Sequence, residues 1–361
     1  MSTSVHAVRL VAAHEFRMRL RTGRWKWLLG GFTAVMLAFT WFLATSLNAS
    51  RDSYYNGETM VHDTTSIGPQ MFGILMLFVL GLMLIISPTL TSQSINGDRE
   101  RGTLATLQVT LLSPTDIAIG KLLAGWSVGL VALALSVPFV LFSVAQGGVG
   151  FLSAVATLTV VALLIGVICA VAQALSALMS RSISSGLLSY LATAALTIGT
   201  LITYFLALSA TSEQKPILIG SDYMTQGVVR HPEEVWWLLS PNPFVILADA
   251  APALPPLRAD NGDVVQRSDD PLGSIRRSVR DATLPDSSLP CGGTVYSSSD
   301  QPIGDRLTPT IPQCPAHPAD PSPVWPWGLG FDLLLGAFAV TVTIRRLRTP
   351  ATRLGRGVRV A

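Results

Sequence analysis

FLSAVATLTVVALLIGVICAVAQALSALM, residues 151–179, runs 29 positions without an Asp, Glu, Lys or Arg. About 20 apolar residues in helical form cross the hydrocarbon of a bilayer, so the stretch reads as a membrane span. A backbone in lipid has no water to bind and must satisfy its own hydrogen bonds, which makes that span a helix. Working outward, five more stretches reach spanning length, approximately Trp27–Leu47, Pro69–Ser92, Leu122–Ala145, Gly186–Ser209 and Val324–Ile344. The composition of the whole chain agrees. Its 361 residues are 49% hydrophobic and 13% charged, with a mean hydropathy of +0.48, where a soluble domain carries about 25% charge. The expected fold class is an all-α polytopic membrane protein with six transmembrane helices, and Pro88 and Pro138 predict kinks inside two of them.

Orientation follows from the loops, because arginine and lysine gather on the cytoplasmic side. With the N-terminus inside, the cytoplasmic pieces hold 16 basic residues against 4 acids (Glu15, Asp98, Glu100, Asp116), and the outer pieces hold 9 against 17. N-in, C-in is the reading. Scarce lysine (Lys26, Lys121, Lys215) beside plentiful arginine, alanine and valine points to a GC-rich bacterial genome, hence to a bacterial plasma membrane. The basic stretch before Trp27 leads into an apolar run of full spanning length, so it reads as a retained first span and not as a cleavable signal.

The organisation is then residues 1–26 on the cytoplasmic side; spans one to five within 27–211, with a cytoplasmic segment at 98–120; an extracellular segment 212–323; span six at 324–344; and a basic cytoplasmic tail 345–361. The 212–323 segment is rich in Pro, Gly, Ser and Asp and is far longer than a hairpin connection, so a loop-rich insertion is expected. Cys291 and Cys314 both fall in it, on the side where disulfides persist, and are expected to pair. Cys169 sits mid-span and reads as a small packing residue. The ridges Gly125/Gly129 and Gly166/Ala170/Ala174 permit close helix approach, within one chain or across a seam between two.

Function classes narrow quickly. Neither an HExxH nor a Walker-type GxxxxGK[ST] occurs, all five histidines lie outside the spans, and no basic, aromatic-interleaved patch suits nucleic acid. No metal site and no cofactor on this chain are expected. A channel or ion-coupled carrier needs ionisable residues along its spans, and only Asp332 lies within one. It is expected to face the bundle or a wet cleft, or else to sit at headgroup level.

The most informative loop is SINGDRERGTLATLQVTLLSPTDIAIGKLLAGW, residues 94–126. Asp98, Arg99, Glu100 and Arg101 form a charged cluster, Gly102 follows, and Thr103–Leu112 is amphipathic. Leu104, Leu107, Leu111 and Leu112 fall on one helical face, fit either to rest on lipid or to enter a groove on a cytosolic partner. Ser113-Pro114-Thr115-Asp116 closes that stretch and caps the next helix. Upstream, Val8, Val11, Ala12, Phe16 and Leu20 against Arg17, Arg21, Arg24 and Lys26 suit a helix lying in the membrane interface.

Glu100-Arg101-Gly102-Thr103-Leu104, Leu112-Ser113-Pro114-Thr115 and Gly120-Lys121-Leu122-Leu123, in this order, resemble the loop of ABC-2 type permeases. HEFRMRLRTGRWKW, with Phe16, Arg17, Arg21, Arg24 and Trp25, resembles the interfacial elbow helix of that family. Trp236–Phe244 (WWLLSPNPF) is similar to its external re-entrant segment. Residues 250–322 are additional to the family pattern. The resemblance implies a membrane subunit of an ATP-driven exporter, partnered by ABC ATPase subunits that carry ATP and Mg, and by a second permease, identical or sister. It also implies that the segment carrying Asp98, Arg99, Glu100, Arg101, Gly102, Thr103, Leu104, Leu107, Leu111, Ser113 and Pro114 is the coupling helix. Its leucines would fill a groove on the ATPase, and Glu100 and Arg101 would pair with charges at the rim. The rival readings are a membrane-anchored scaffold or receptor working through 212–323, and the carrier above.

Overall fold

The computed structural model describes residues 5–21, 23–54, 67–102, 113–219, 223–251, 257–258, 264–265, 271–284 and 322–348. Six of its helices are long and apolar enough to cross a membrane, namely Lys26–Ala49, Gly68–Glu100, Pro114–Ala145, Phe151–Leu178, Ser182–Ala210 and Trp325–Leu347. The expected polytopic all-α class is met.

In chain order, α1 (Val5–Arg21) precedes the first span, α2 (Gly23–Tyr54). The second span, α3 (Gly68–Thr91), turns into a short α4 (Asn96–Glu100); α5 (Pro114–Ala145) and α6 (Phe151–Leu178) are the third and fourth. The fifth span is composite, with α7 (Ser182–Ala194), a π-helical turn over Ala195–Gly199, and α8 (Thr200–Ala210). Next comes an antiparallel hairpin, β1 (Glu213–Ile219) on β2 (Tyr223–Val229), in register from Glu213↔Val229 to Ile219↔Tyr223. α9 (Pro232–Val235), a 3₁₀ turn, α10 (Pro243–Ala250), a two-residue pairing of β3 (Leu257–Arg258) with β4 (Val264–Val265), and α11 (Pro271–Asp281) lead to the last span, α12 (Trp325–Leu347). The stretch expected to be loop-rich therefore adds a hairpin and short helices to the bundle. Cys291 and Cys314 lie outside the described residues.

α6 is the central helix, touching α3, α5, α7, α10 and α12. Met71, Leu75, Met76, Leu80 and Met83 of α3 and Leu164 and Ile165 of α6 are fully buried at its flank. Methionine, unbranched and flexible, fills the irregular gaps that such crossings leave. Between helices in lipid no hydrophobic force acts, so association depends on close fit. A Cβ on Gly129 would come 2.8 Å from Ile165 Cγ2, and Gly166 leaves the space that Trp126 occupies. The Trp126 indole N–H donates to Ala162 O at 2.8 Å, and Ala170 and Ala174 pack on Ala339 of α12. These small-residue ridges join helices of one chain. Cys169 is buried, its carbonyl accepting from Thr91 Oγ1 at 2.9 Å, as a packing residue should be. α3 and α5 run on as helices through Pro88 and Pro138.

The letters Gly125-Trp126-Ser127-Val128-Gly129 match the GxSxG of hydrolases, but that motif needs a strand–turn–helix elbow. Here it lies inside α5, and Ser127 Oγ donates to Leu123 O at 2.6 Å. It is a helix packing face.

The bundle has two distinct ends. At one, α1, α4, the start of α5 and the end of α12 gather, with Ile95, Ile117, Ala118, Ala177 and Leu347 packed together. At the other lie α9 to α11 and the start of α12.

Candidate coupling site

Past Thr91 the chain turns into α4 and packs against the end of α6. The backbone N–H groups of Ile95 and Asn96 both donate to Ser176 Oγ, at 3.2 and 3.1 Å, and all three residues are fully buried. Asn96 Oδ1 accepts from Arg99 Nη1 at 3.1 Å, and the same guanidinium nitrogen reaches Met179 O at 3.0 Å. Ser185 Oγ donates to Ser92 O at 2.6 Å. Glu100 Oε1 accepts from Ser182 N (3.1 Å) and Ser182 Oγ (2.7 Å), which places a carboxylate at the first turn of α7. Negative charge is favoured there, where free N–H groups and the helix dipole point outward. Residues 92–100 are thus laced to the start of the fifth span.

On its other side α4 meets a buried ion cluster. Lys121, 1% exposed, pairs with Glu15 of α1 and with Asp98 of α4. Asp98 Oδ1 also takes Arg101 Nη2 at 3.0 Å. A lone buried ammonium would cost several kcal/mol in desolvation, which two carboxylates offset. Gly120, the preceding residue, admits α1, since a Cβ there would stand 2.7 Å from Val11 Cγ1. Val11 is accordingly buried, so this edge of the expected interfacial helix docks on α5 rather than on lipid. Phe16 packs against the main core while Arg17 is exposed. Arg21, Arg24 and Trp25 fall in α1 and α2, their side chains outside the described residues.

Gly102 has φ 71°, the left-handed conformation that ends a helix at low cost only for glycine. Downstream, Ser113 closes a capping box on α5: its Oγ accepts from Asp116 N at 3.1 Å, and Asp116 Oδ2 accepts from Ser113 N at 3.0 Å, with Pro114 in the first turn. This is the cap expected from the sequence, with Asp in the place of the usual Glu. The stretch 103–112, with Thr103, Leu104, Leu107 and Leu111, lies outside the described residues, and both its ends are anchored. Of the expected rim charges, Arg101 is engaged with Asp98, and Glu100 with Ser182.

Asp332 is 1% exposed in α12, one turn from Gly336, which faces Val167 of α6. It therefore faces the bundle, and its Oδ1 has no hydrogen-bond partner among the described residues. No cluster of three or more potential metal ligands occurs among the described residues.

No pairing for Lys121 or Glu15 followed from the sequence, although a signal was present. Glu15 is the one acid before the first span, and Lys121 stands at the head of an apolar run. Lys121 is an isolated charge on an apolar helix and so needs a partner, and Glu15 is the lone acid of an otherwise basic helix.

The sequence pattern of the ABC-2 family transporter proteins matches residues 9–228, more than half of the chain. The chain belongs to that family. It is a permease, the membrane-spanning subunit of an ABC transporter, a kind of subunit that is not itself catalytic, and the family implies an ABC ATPase partner. A comparison with curated proteins finds no match. The matched region of the permease takes in five spans, the ion cluster and both anchors of 103–112. The segment after β2 and the last span lie beyond it.

Proposed function

We propose that this permease couples ATP hydrolysis on a separate ATPase to export, through the segment between Asp98 and Asp116. The observation that carries the reading is the bracketing of 103–112. Its leading end is bolted to α1, α5 and α7 through Asp98, Lys121, Glu15 and Glu100, and its trailing end to α5 through Ser113. A partner pressing on the leucine face between those anchors would act on three helices at once. α1 and the last turn of α12 belong to this end of the bundle, where the basic loop residues put the cytoplasm of a bacterial cell. ATP and Mg belong to the partner, none being expected on this chain. A second permease, the same or a sister, completes the translocation path, and 212–323 faces outward as an insertion that receives or hands off substrate.

Leu104, Leu107 and Leu111 are the proposed anchors, and truncating a central anchor commonly costs about 2 kcal/mol or more, roughly 30-fold in affinity. The double variant Glu100→Arg, Leu107→Ala should insert normally and lose most of its co-purifying ATPase. If it retains the ATPase at the parent's stoichiometry and supports the same rate of ATP hydrolysis in the complex, the assignment is wrong.

A further inference from the structure

Among the described residues, the fifth span is the one transmembrane helix that changes its hydrogen-bonding pattern midway. At Ala195–Gly199 it widens into a π turn, and Thr200 N bonds back five positions to Ala195 O. Such a turn holds one residue more than an α-helical turn, disturbs the regular ladder and is frequent at functional sites. The disturbed place has an external partner. Asn242, 1% exposed, donates both amide hydrogens into it, to Thr197 O at 2.7 Å and to Thr200 Oγ1 at 2.9 Å. Its remaining atom, Oδ1, accepts from Phe244 N at 2.9 Å and so caps α10. Every hydrogen-bonding group of this amide except one lone pair is used.

α10 passes the connection on. Ile246, Leu247 and Ala248 are fully buried in the core. At its far end Asp249, also buried, accepts from Val324 N (2.6 Å) and Trp325 N (2.7 Å) and pairs with Arg280 Nε at 2.6 Å. One helix of eight residues therefore holds the fifth span by its first end and the start of the sixth by its last. The other half of the fifth span is held elsewhere, by Glu100 at Ser182 and by Ser92 at Ser185. Two halves of one helix are thus tied to two different bodies, with the irregular turn between them. None of the five residues of that turn is buried, so little packing resists a change of angle there.

We propose that Ala195–Gly199 is a hinge and that Asn242 is the positioning residue that pins it. Movement of 92–102 tilts α7 through Glu100, while α8 stays with α10 and α12 through Asn242 and Asp249. The inference rests on the reading of 98–116 as the site of ATPase coupling.

The test is hydrogen exchange by mass spectrometry on the complex of this chain with its ATPase, in nanodiscs, nucleotide-free and after trapping with MgATP and orthovanadate. In the parent, trapping should change exchange at 96–102 and at 195–201, with 186–193 and 203–209 unchanged. Asn242→Asp keeps the acceptor that caps α10 but has no N–H to give Thr197 O. In this variant 195–201 should exchange about tenfold faster without nucleotide, the loss of roughly one net hydrogen bond. Trapping should add nothing further there, and 243–250 should keep the parent's protection. Deleting Ile198, which lets the turn close as regular α-helix, should abolish the response at 195–201 and leave that at 96–102; this variant serves if Asn242→Asp fails to fold. A parent that responds at 96–102 but not at 195–201 overturns the hinge alone, as does an Asn242→Asp protein indistinguishable from the parent. A parent silent at both places overturns the coupling reading, and the hinge with it.

Discussion

Lys121 is the residue on which most depends at the smallest scale. It is nearly solvent-free and neutralises two carboxylates brought from helices on either side of it in sequence, Glu15 and Asp98. Removing one member of a buried ion group leaves uncompensated charge and costs about 3–5 kcal/mol, whereas removing all members together costs far less. Lys121→Met should therefore lower the thermal midpoint of the detergent-solubilised permease by many degrees. Adding Glu15→Gln and Asp98→Asn should restore most of the loss, and a single variant as stable as the parent would show the cluster to be ornamental. Asp332 poses the opposite case, a buried carboxyl with one oxygen that has no hydrogen-bond partner among the described residues. A charged acid at mid-bilayer costs about 2.5–3.5 kcal/mol on insertion scales, so Asp332→Leu should insert at least as well as the parent. If export depends on Asp332, the ATPase of the complex should nevertheless lose its coupling in that variant; unchanged coupling assigns the residue no transport role. The sequence marked Asp332 as the one acid inside a span, because composition alone reveals a charge among apolar neighbours. It had no means of pairing Lys121 with a residue 106 positions away.

At the scale of elements, caps were legible and clamps were not. Ser113 with Asp116 acts within a few residues of itself, so local chemistry announces it. Asp249 acts on a helix 75 residues downstream, giving Val324 and Trp325 the acceptor their free N–H groups need. Nothing in the spacing says so. Asp249→Ala strands those donors and takes a buried carboxylate from Arg280, and should destabilise the permease by about 3 kcal/mol, read as a lower denaturation midpoint. Asp249→Asn, which keeps an acceptor, should recover part of it. In the insertion, Cys291 and Cys314 should be bridged, closing a loop of 24 residues, worth about 3 kcal/mol in a chain-entropy picture. Mass spectrometry after alkylation without reductant checks this, and two alkylated thiols would refute it.

At the scale of the whole molecule, α3 and α6 bury most of their surface within the chain while α2 and the fifth span bury little. Apolar exposure of that kind is neutral in lipid, so it does not by itself demand a partner. The family does imply an ATPase, and the proposed assembly is two permeases with two ATPases. Native mass spectrometry of the complex from nanodiscs should give that 2:2 mass; a 1:1 particle with full ATPase activity would remove the second permease from the mechanism.

The sequence by itself determined the six spans, their helical state and the family to which the chain belongs. In hydrocarbon a backbone has only one local way to satisfy itself, and a run of apolar residues states that condition without reference to anything distant. Only the tertiary structure decided where the isolated charges and amides go: Glu15 to Lys121, Glu100 to Ser182, Asn242 to Thr197, Asp249 to Val324. Each is a polar group whose burial is tolerable once a partner is supplied, and which partner is supplied depends on how helices cross. Crossing is set by the fit of ridges such as Gly120 against Val11 and Gly129 against Ile165, a property of pairs of surfaces that no single stretch of chain contains.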